Sequence, residues 1–271
     1  MPPLRAEGVG VVHGPDAALL ERFRTLVYRE YGIHYQDAKV DVLRMKLRKL
    51  ESLYHIDLEE LYEQLIVHDP AATKTFLHEV AVGHTFFFRE EAHFVRMTED
   101  VSRRSLSSPL VWCAASSTGE EPYSIVISLL EQGLRDFKVL ASDLNHRSLE
   151  AMHRGVYNLT QFQNVPAHIL RSYFSKVDEH RVRVRPILRK YLSIKCLNLH
   201  TPLLFETSFD YIFCRNVMIY FDDKGRSRVL NTLVDNLSPQ GLLFVGHSEA
   251  LLQTVNKLEK AGPAFYRKVH K

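Results

Sequence analysis

The run FDYIFCRNVMIYF, residues 209–221, constrains the fold of this chain more than any other segment. It predicts a buried strand that gives way to polar Arg215 and Asn216 at its carboxyl end. Open α/β sheets bind their ligands beyond the carboxyl ends of their strands. We therefore expect the functional site to lie at this point of the chain.

Length and composition indicate a globular protein. With 271 residues, 45% hydrophobic and 25% charged, the chain can hold one large α/β domain or a moderate domain plus a small one. Its sequence shows neither an apolar run of membrane-spanning length nor a signal-peptide core, so a cytoplasmic protein without membrane insertion is expected. The net charge of +3 is too small to indicate nucleic-acid binding by itself.

Cysteine and histidine usage argues against disulfides and metals. The three cysteines, Cys113, Cys196 and Cys214, are odd in number, widely spaced and set in apolar sequence, which favours buried thiols of a reduced compartment. The 14 histidines show neither HExxH nor any other ligand spacing, and no metal site is expected.

The first 80 residues carry helical periodicity and almost no strand signal. Asp16 can cap a first helix that Gly32 ends, and a second helix is expected over residues 41–53. A third begins at Asp57 within a D-x-x-E capping pattern, and a fourth covers residues 73–82. The pattern predicts an all-α N-terminal domain, residues 1–80, whose apolar faces include Leu19, Leu20, Phe23, Val27, Leu43, Leu47, Leu50, Leu61, Leu65 and Ile66.

From Leu110 onward the pattern alternates between strand and helix. LVWCA and KVLASD are predicted strands, and the helices that follow them end at Gly133 and Gly155. FDYIFC, LLFVG and AFYRK are further strands, the last of them at an edge. Such alternation predicts a parallel sheet covered by helices.

One stretch interrupts this order. HRVRVRPIL alternates like a solvent-facing hairpin and is a poor candidate for a crossover helix. We therefore expect a small inserted β-subdomain at about residues 157–195, within a second domain that spans residues 81–271.

The first turn of the α/β region, CAASSTGEEPYS, offers small residues at a helix N-terminus. Glu120 and Glu121 would repel a phosphate there, so the turn favours a ligand without phosphates or with a positive centre, although both acids can simply stabilise the helix dipole. Asp143 ends the next strand, where an acid can bind ribose hydroxyls or form a turn.

Several motifs in order resemble one family. HTFFFRE at residues 84–90, STGEEPYS, ASD, GVYN, LNL at 197–199, CRNVMIYF and GHSEAL at 246–251 are similar to successive signatures of the CheR family. Members are chemotaxis-receptor glutamate O-methyltransferases that use S-adenosylmethionine. The resemblance runs from about Gly83 to the C-terminus, and the helical N-terminal region resembles the family's receptor-facing domain.

The resemblance implies a fold, a reaction and a site. The fold would be a doubly wound, Rossmann-like class I methyltransferase sheet, and the product S-adenosylhomocysteine. Since a glutamate acceptor is ionised at neutral pH, no general base is required, and in-line positioning would supply the catalysis. Arg89 and Tyr220 would lie near the transferred methyl group as catalytic residues, and the cofactor would be bound by Thr85, Arg89, Glu120, Asp143, Asn198, Leu199, Asn216 and Val217.

The sequence also departs from the family pattern. Gly83 stands where members often have a polar residue, and CAASSTG lacks their common G-C-S form. FSKVDEHRVRV is short and has no glycine where the family hairpin often has some. In some members that subdomain docks the C-terminal pentapeptide of a receptor. Because the segment differs here, the resemblance does not by itself imply such docking for this chain.

Other features have a structural and a functional interpretation. Phe86, Phe87 and Phe88 are expected in the core. His247 and Glu249 could form a catalytic pair, but they follow the last GLLFVG strand and are expected to shape a loop. The second helix carries four cations, Arg44, Lys46, Arg48 and Lys49. They either form a solvated face or capture an acidic receptor helix.

The expected partners are the cytoplasmic domains of chemoreceptors, bound by a monomer. A CheR-like cofactor-binding or signalling-partner module without turnover is the alternative. Nucleic-acid methylation draws support only from the sequence pI of about 8.7.

Overall fold

The computed structural model describes residues 14–81, 85–163, 165–249 and 257–269. The chain divides into two compact units, Met1–Val80 and Ala81–Lys271. Among the described residues, no helix combines the length and apolar character needed to cross a membrane.

Within its described residues, 14–80, the first unit is a bundle of four α-helices. Asp16 caps the first helix by accepting a hydrogen bond from Leu19 N, and Gly32 ends it in the left-handed conformation. Asp57 caps the third helix through Glu60 N. The apolar faces meet in a single core, as predicted, but Ile66 is exposed. The helices are α1 (Ala17–Tyr31), α2 (Val40–Tyr54), α3 (Leu58–Ile66) and α4 (Pro70–Val80).

The second unit is built on a seven-stranded sheet in the order β6-β2-β1-β7-β8-β10-β9. The first five of these strands are parallel, and β10 runs antiparallel to both β8 and β9. The strands are β1 (Leu110–Ala114), β2 (Lys138–Asp143), β6 (Leu192–Cys196), β7 (Phe209–Cys214), β8 (Leu237–Val245), β9 (Leu258–Gly262) and β10 (Phe265–Lys268).

Both faces of this sheet are covered. In β1 the side chains of Val111 and Cys113 enter one hydrophobic cluster, while Trp112 and Ala114 enter another on the opposite face. This confirms the predicted doubly wound α/β fold. The helices of this unit are α5 (Ala92–Arg104), α6 (Glu120–Glu131), α7 (His146–Arg154), α8 (Ala167–Tyr173), α9 (Pro186–Arg189) and α10 (Asp223–Asn236).

A three-stranded antiparallel sheet in the order β3-β5-β4 lies between α7 and β6 in sequence. Its strands are β3 (Val156–Asn158), β4 (Phe174–Lys176) and β5 (Arg181–Val184). The stretch expected as an insertion, residues 157–195, also contains most of β6, which pairs with β2 in the large sheet. The small sheet therefore ends earlier than expected.

Three other expectations were wrong in detail. AFYRK is not an edge strand, because β9 pairs with the outer side of β10. Cys196 is exposed, whereas Cys113 and Cys214 are buried as predicted. Of the three consecutive phenylalanines only Phe87 is fully buried, and its two neighbours are half-buried.

Candidate functional site

The strand order brings the predicted site residues to one edge of the sheet. Strands β2 and β6 lie on one side of β1, and the chain then returns to place β7 on the other side. This reversal is the switch point at which doubly wound sheets bind ligands. The segments that follow the carboxyl ends of β1, β2, β6, β7 and β8 therefore share this edge.

The turn after β1 requires small residues. Ala115, Ser117 and Gly119 all have positive φ angles, of 58°, 48° and 101°. A Cβ on Gly119 would lie 2.3 Å from Met152 Cγ and 2.9 Å from the Tyr157 hydroxyl oxygen. The glycine thus allows the turn to pack closely against the chain and to deliver Glu120 at the start of α6.

The Glu120 side chain is the most deeply buried acid of the site, with 0% exposure. Its carboxylate accepts a hydrogen bond of 2.7 Å from the Thr118 hydroxyl and another from the Gln161 amide. Burial raises its pKa, and the bond from Thr118 only partly opposes that effect. A buried carboxylate bonded by neutral donors is a favourable place for a cationic ligand group.

Asp143 ends β2, and its carboxylate organises the neighbouring backbone. Oδ2 accepts from Ser117 N at 2.8 Å, and Oδ1 accepts from Asn145 N at 2.8 Å. Burial raises the pKa of Asp143 despite these bonds. The turn-forming role of Asp143 is therefore present.

The segment after β7 carries Asn216 and Tyr220. Asn216 has a φ of 59°, and Tyr220 lies in the short 3₁₀ helix Met218–Tyr220. Burial raises the pKa of Tyr220, the charge of Glu249 adds to this, and the charge of Arg89 opposes it. Arg89 and Tyr220 are 131 positions apart in the sequence and were predicted to serve one site. The effect of the Arg89 charge on the pKa of Tyr220 means that the two side chains lie within electrostatic reach of each other.

A buried arginine holds the segment that carries Arg89. The Arg215 guanidinium bonds to the Arg89 carbonyl oxygen, to the Glu121 carboxylate and, at 3.0 Å, to Glu90 Oε2. In the sequence, Arg215 was recognisable only as the polar end of a strand, and no pattern indicated a role for Glu90. A charged side chain at the end of an apolar strand was the signal, because burial of a lone arginine requires acidic partners.

The other predicted cofactor residues differ in their surroundings. Asn198 Oδ1 accepts from His200 N at 2.9 Å, and Leu199 packs in the hydrophobic cluster around Trp112. Val217 is half-buried against the same cluster, and Thr85 is half-buried at the start of its segment. Gly83, His84 and the last two residues of GHSEAL lie outside the described residues.

Three potential metal ligands also lie together, although their spacing in sequence gave no sign of it. Ligand atoms of Glu90, His93 and His247 lie within 4.8 Å of one another. The Arg215 guanidinium already neutralises Glu90 at this point. Burial and the charge of Arg215 lower the pKa of His93 to about 4.

In the N-terminal unit, the four cations predicted to bind a receptor do not form one uniform patch. Lys46 donates to the carbonyl oxygens of Glu79 and Val80, and Lys49 Nζ lies 2.7 Å from Glu79 Oε2. Arg44 pairs with Asp41 on its own helix, and Arg48 is exposed. The two lysines thus stabilise the end of α4, and the two arginines remain the better candidates for a partner.

The architecture is that of a class I methyltransferase: a switch point flanked by an acidic turn, with a final antiparallel strand beside β8. A family model described as the SAM-binding domain of CheR methyltransferase matches residues 83–266. The chain belongs to the CheR methyltransferase family, and its cofactor is S-adenosylmethionine.

Relatives match over nearly the whole chain. The chemotaxis protein methyltransferase of Salmonella typhimurium is 36% identical, over 92% of this chain and 89% of its own. The chemotaxis protein methyltransferase 2 of Pseudomonas aeruginosa is 33% identical, over 91% of both chains. The chemotaxis protein methyltransferase of Borreliella burgdorferi is 31% identical, over 92% of this chain and 93% of its own.

The residues present fit this cofactor. S-adenosylmethionine carries a positive sulfonium and an amino group but no phosphate, and Glu120 offers a buried negative charge bonded by neutral donors. The small residues of the preceding turn allow close approach to the backbone. The acids of the turn, which would repel a phosphate, are compatible with this ligand.

Proposed function

We propose that this protein transfers the methyl group of S-adenosylmethionine to glutamate side chains of chemoreceptors, forming methyl esters and releasing S-adenosylhomocysteine. The observation that carries the proposal is the fully buried Glu120 carboxylate at the switch point of the sheet. The names of the relatives, chemotaxis protein methyltransferases, support the receptor as acceptor.

The cofactor would be held by groups on three neighbouring strands. Glu120 after β1 faces a cationic group, Asp143 at the end of β2 accepts from ribose hydroxyls, and Asn216 after β7 contributes backbone and amide contacts. Thr85, Asn198, Leu199 and Val217 complete the set by their match to the family motifs. Bound there, S-adenosylmethionine supplies an electrophilic methyl group that a carboxylate oxygen takes from the sulfur.

The acceptor needs orientation more than activation. A glutamate with a pKa of about 4.3 is ionised at neutral pH, so no residue has to remove a proton. Burial keeps the Tyr220 hydroxyl protonated, and it can donate to one acceptor oxygen while the Arg89 guanidinium pairs with the carboxylate. The second oxygen is then left to attack in line with the methyl–sulfur bond.

The N-terminal unit would recognise the receptor through α2. Lys46 and Lys49 are engaged with the end of α4, whereas Arg44 pairs with Asp41 of its own helix and Arg48 is exposed. A helical receptor surface that carries several glutamates complements such a cationic face. Cytoplasmic receptor domains would supply that surface.

The test is a transfer assay with labelled S-adenosylmethionine and purified receptor cytoplasmic domains. We expect label in the receptor that is released as methanol by mild base, the signature of a glutamate methyl ester. A receptor fragment with its acceptor glutamates replaced by alanine is the matched control. Cofactor binding without base-labile label, over a panel of receptors, would contradict the proposal.

A further inference from the structure

Glu249 connects the two loops that follow β7 and β8. Its carboxylate accepts three backbone hydrogen bonds: from Asn216 N at 2.6 Å, from Gly246 N at 2.8 Å and from Ile219 N at 3.3 Å. The side chain is only 8% exposed, so water screens these bonds little. Two of the three donors belong to the loop that carries Asn216 and Tyr220.

The conformation of this loop needs external support. Asn216 has a φ of 59°, in the left-handed region that residues other than glycine adopt rarely. Its N–H donates to Glu249 Oε2. A charged acceptor strengthens such a bond about twofold over a neutral one.

At Gly246 the two loops approach each other too closely to admit a side chain. A Cβ on Gly246 would lie 2.6 Å from Asn216 Nδ2 and 2.7 Å from Glu249 Oε2. The close contact between the loops that follow β7 and β8 therefore requires a glycine at position 246, and the Glu249 carboxylate accepts hydrogen bonds from both loops.

We propose that Glu249 is a positioning residue for methyl transfer: through its three backbone hydrogen bonds it fixes the loop that presents Asn216 to the cofactor and Tyr220 to the acceptor. The inference rests on the proposed function of that site. Glu249 acts through the backbone, so its reach matters more than its charge. If Glu249 acted only through its charge, the charge would matter more than the length of the side chain.

Three substitutions separate reach from charge. Glu249→Gln keeps the length and one acceptor oxygen but removes the charge, whereas Glu249→Asp keeps the charge but draws the carboxylate away from the N–H groups. Glu249→Leu removes both. Glu99→Leu, the same change at an exposed position of α5, is the matched control.

The measurements are kcat and KM for receptor methylation, the affinity for S-adenosylhomocysteine by calorimetry, and the unfolding temperature. We expect Glu249→Leu to lower kcat about 100-fold, as a displacement of about 1 Å does, with the receptor KM unchanged. Glu249→Gln should stay within about tenfold of wild type. Glu249→Asp should fall below Glu249→Gln in both kcat and product affinity.

The order of the two conservative variants decides the matter even if Glu249→Leu does not fold. Glu249→Asp equal to or better than Glu249→Gln would overturn the positioning role, as would a Leu variant with the kcat and affinity of the control. Measuring the affinity for S-adenosylhomocysteine requires no receptor, so an error in the acceptor assignment can be recognised separately. In that case the wild type would bind S-adenosylhomocysteine without methylating the receptor. The order of Glu249→Asp and Glu249→Gln would then be determined from affinity alone.

Discussion

The two units of the molecule each bury a carboxylate, and they treat it in opposite ways. In the helical unit, Glu79 is 7% exposed and is bonded by Lys49 Nζ at 2.7 Å and by the Tyr54 hydroxyl at 2.9 Å. In the methyltransferase unit, Glu120 is 0% exposed and is bonded by the neutral groups of Thr118 and Gln161. The charge of Glu79 is matched by a cation of its own unit, and we propose that the charge of Glu120 is matched by the cofactor.

The pKa directions follow from this difference. Burial raises the pKa of Glu79, but the bonds from Lys49 and Tyr54 outweigh it and hold the pKa below its usual value. Burial of Glu120 dominates and raises its pKa. A buried acid with its own cation thus indicates a structural role, and one bonded by neutral donors at a switch point indicates a binding role.

The largest expected effect is on turnover at Arg89. Arg89→Ala should lower the rate of methyl transfer on the order of 100- to 1,000-fold, because the acceptor carboxylate loses its pairing cation and its alignment. Cofactor affinity should fall much less. Initial rates at saturating S-adenosylmethionine, with Arg226→Ala on the exposed face of α10 as control, test this. Wild-type turnover in the Arg89 variant would remove the residue from the acceptor site.

Glu120→Gln should weaken S-adenosylmethionine binding about 100-fold, since a buried charge partner of the ligand is lost. The ligand-free variant should be more stable than wild type at pH 7, because a carboxylate of raised pKa disfavours the folded state while it is ionised. That advantage should shrink as the pH falls through the folded pKa of Glu120 towards its unfolded value.

Calorimetry and thermal unfolding between pH 7 and pH 4 check both parts for Glu120. Glu131→Gln, at the exposed far end of the same helix, is the matched control. Equal affinity in the two variants would show that Glu120 does not face the cofactor.

Asp143→Ala should weaken binding of the cofactor and of its product about 30-fold, the effect of a hydrogen bond to a charged group together with a loosened turn. The exposed residue Asp136, just before β2, provides the control when replaced by alanine. Unchanged calorimetric affinity would leave Asp143 with its backbone contacts to Ser117 and Asn145 as its whole role.

Glu79→Gln should lower the free energy of unfolding by about 1–2 kcal/mol at pH 7, because the acceptor of the hydrogen bonds from Lys49 and Tyr54 loses its negative charge. Cofactor affinity should not change. Since the pKa of Glu79 is depressed, its stabilisation is present above the unfolded pKa and is lost as the pH falls through the folded one. The difference from wild type should therefore vanish in acid.

Denaturant unfolding at several pH values measures this difference, with exposed Glu63→Gln in α3 as control. A Glu79 variant as stable as its control would contradict the proposed contrast between the two carboxylates.

The smallest effect is expected on the surface of α2. Reversing the charges of Arg44 and Arg48 to glutamate should raise the receptor KM about threefold at low salt, as exposed ion pairs contribute little each. The effect should fade at high salt, and cofactor binding should be unaffected. A double reversal of Arg29 and Lys39 changes the net charge equally and serves as control.

If the two double variants have identical receptor kinetics, the cations of α2 form a solvated face and do not bind the receptor. Recognition would then belong to another surface, and the three-stranded sheet β3-β5-β4 would be the next region to mutate.

Patterns of short range were readable in the sequence. Asp16 and Gly32 mark the ends of α1, and the apolar runs of β1, β2 and β7 form the centre of the sheet. These succeed because capping and burial on both faces depend on neighbours in sequence. The polar break at Arg215 and Asn216 marks the carboxyl end of β7 for the same reason, and the assignment of the site to this end of the sheet stays a prediction.

Strand pairing and charge pairing were not readable. Strand β6, LSIKC, is short and lies at an edge of the sheet, and β9 covers β10 through contacts that periodicity does not encode. Burial of Cys196 was wrongly expected, since a strand at an edge exposes side chains that a central strand buries. Motif resemblance named Arg89 and Tyr220, but no local rule joined them to each other.

The sequence by itself therefore determined the helices of the first unit, the central strands of the sheet, their alternation with helices, and the family. Only the tertiary structure decided which charges meet: Arg215 with Glu90 and Glu121, Lys49 with Glu79, and Glu249 with the backbone of the Asn216 loop. The physical reason is that burying a charge or an N–H group requires a partner in space, and chain order does not specify which one.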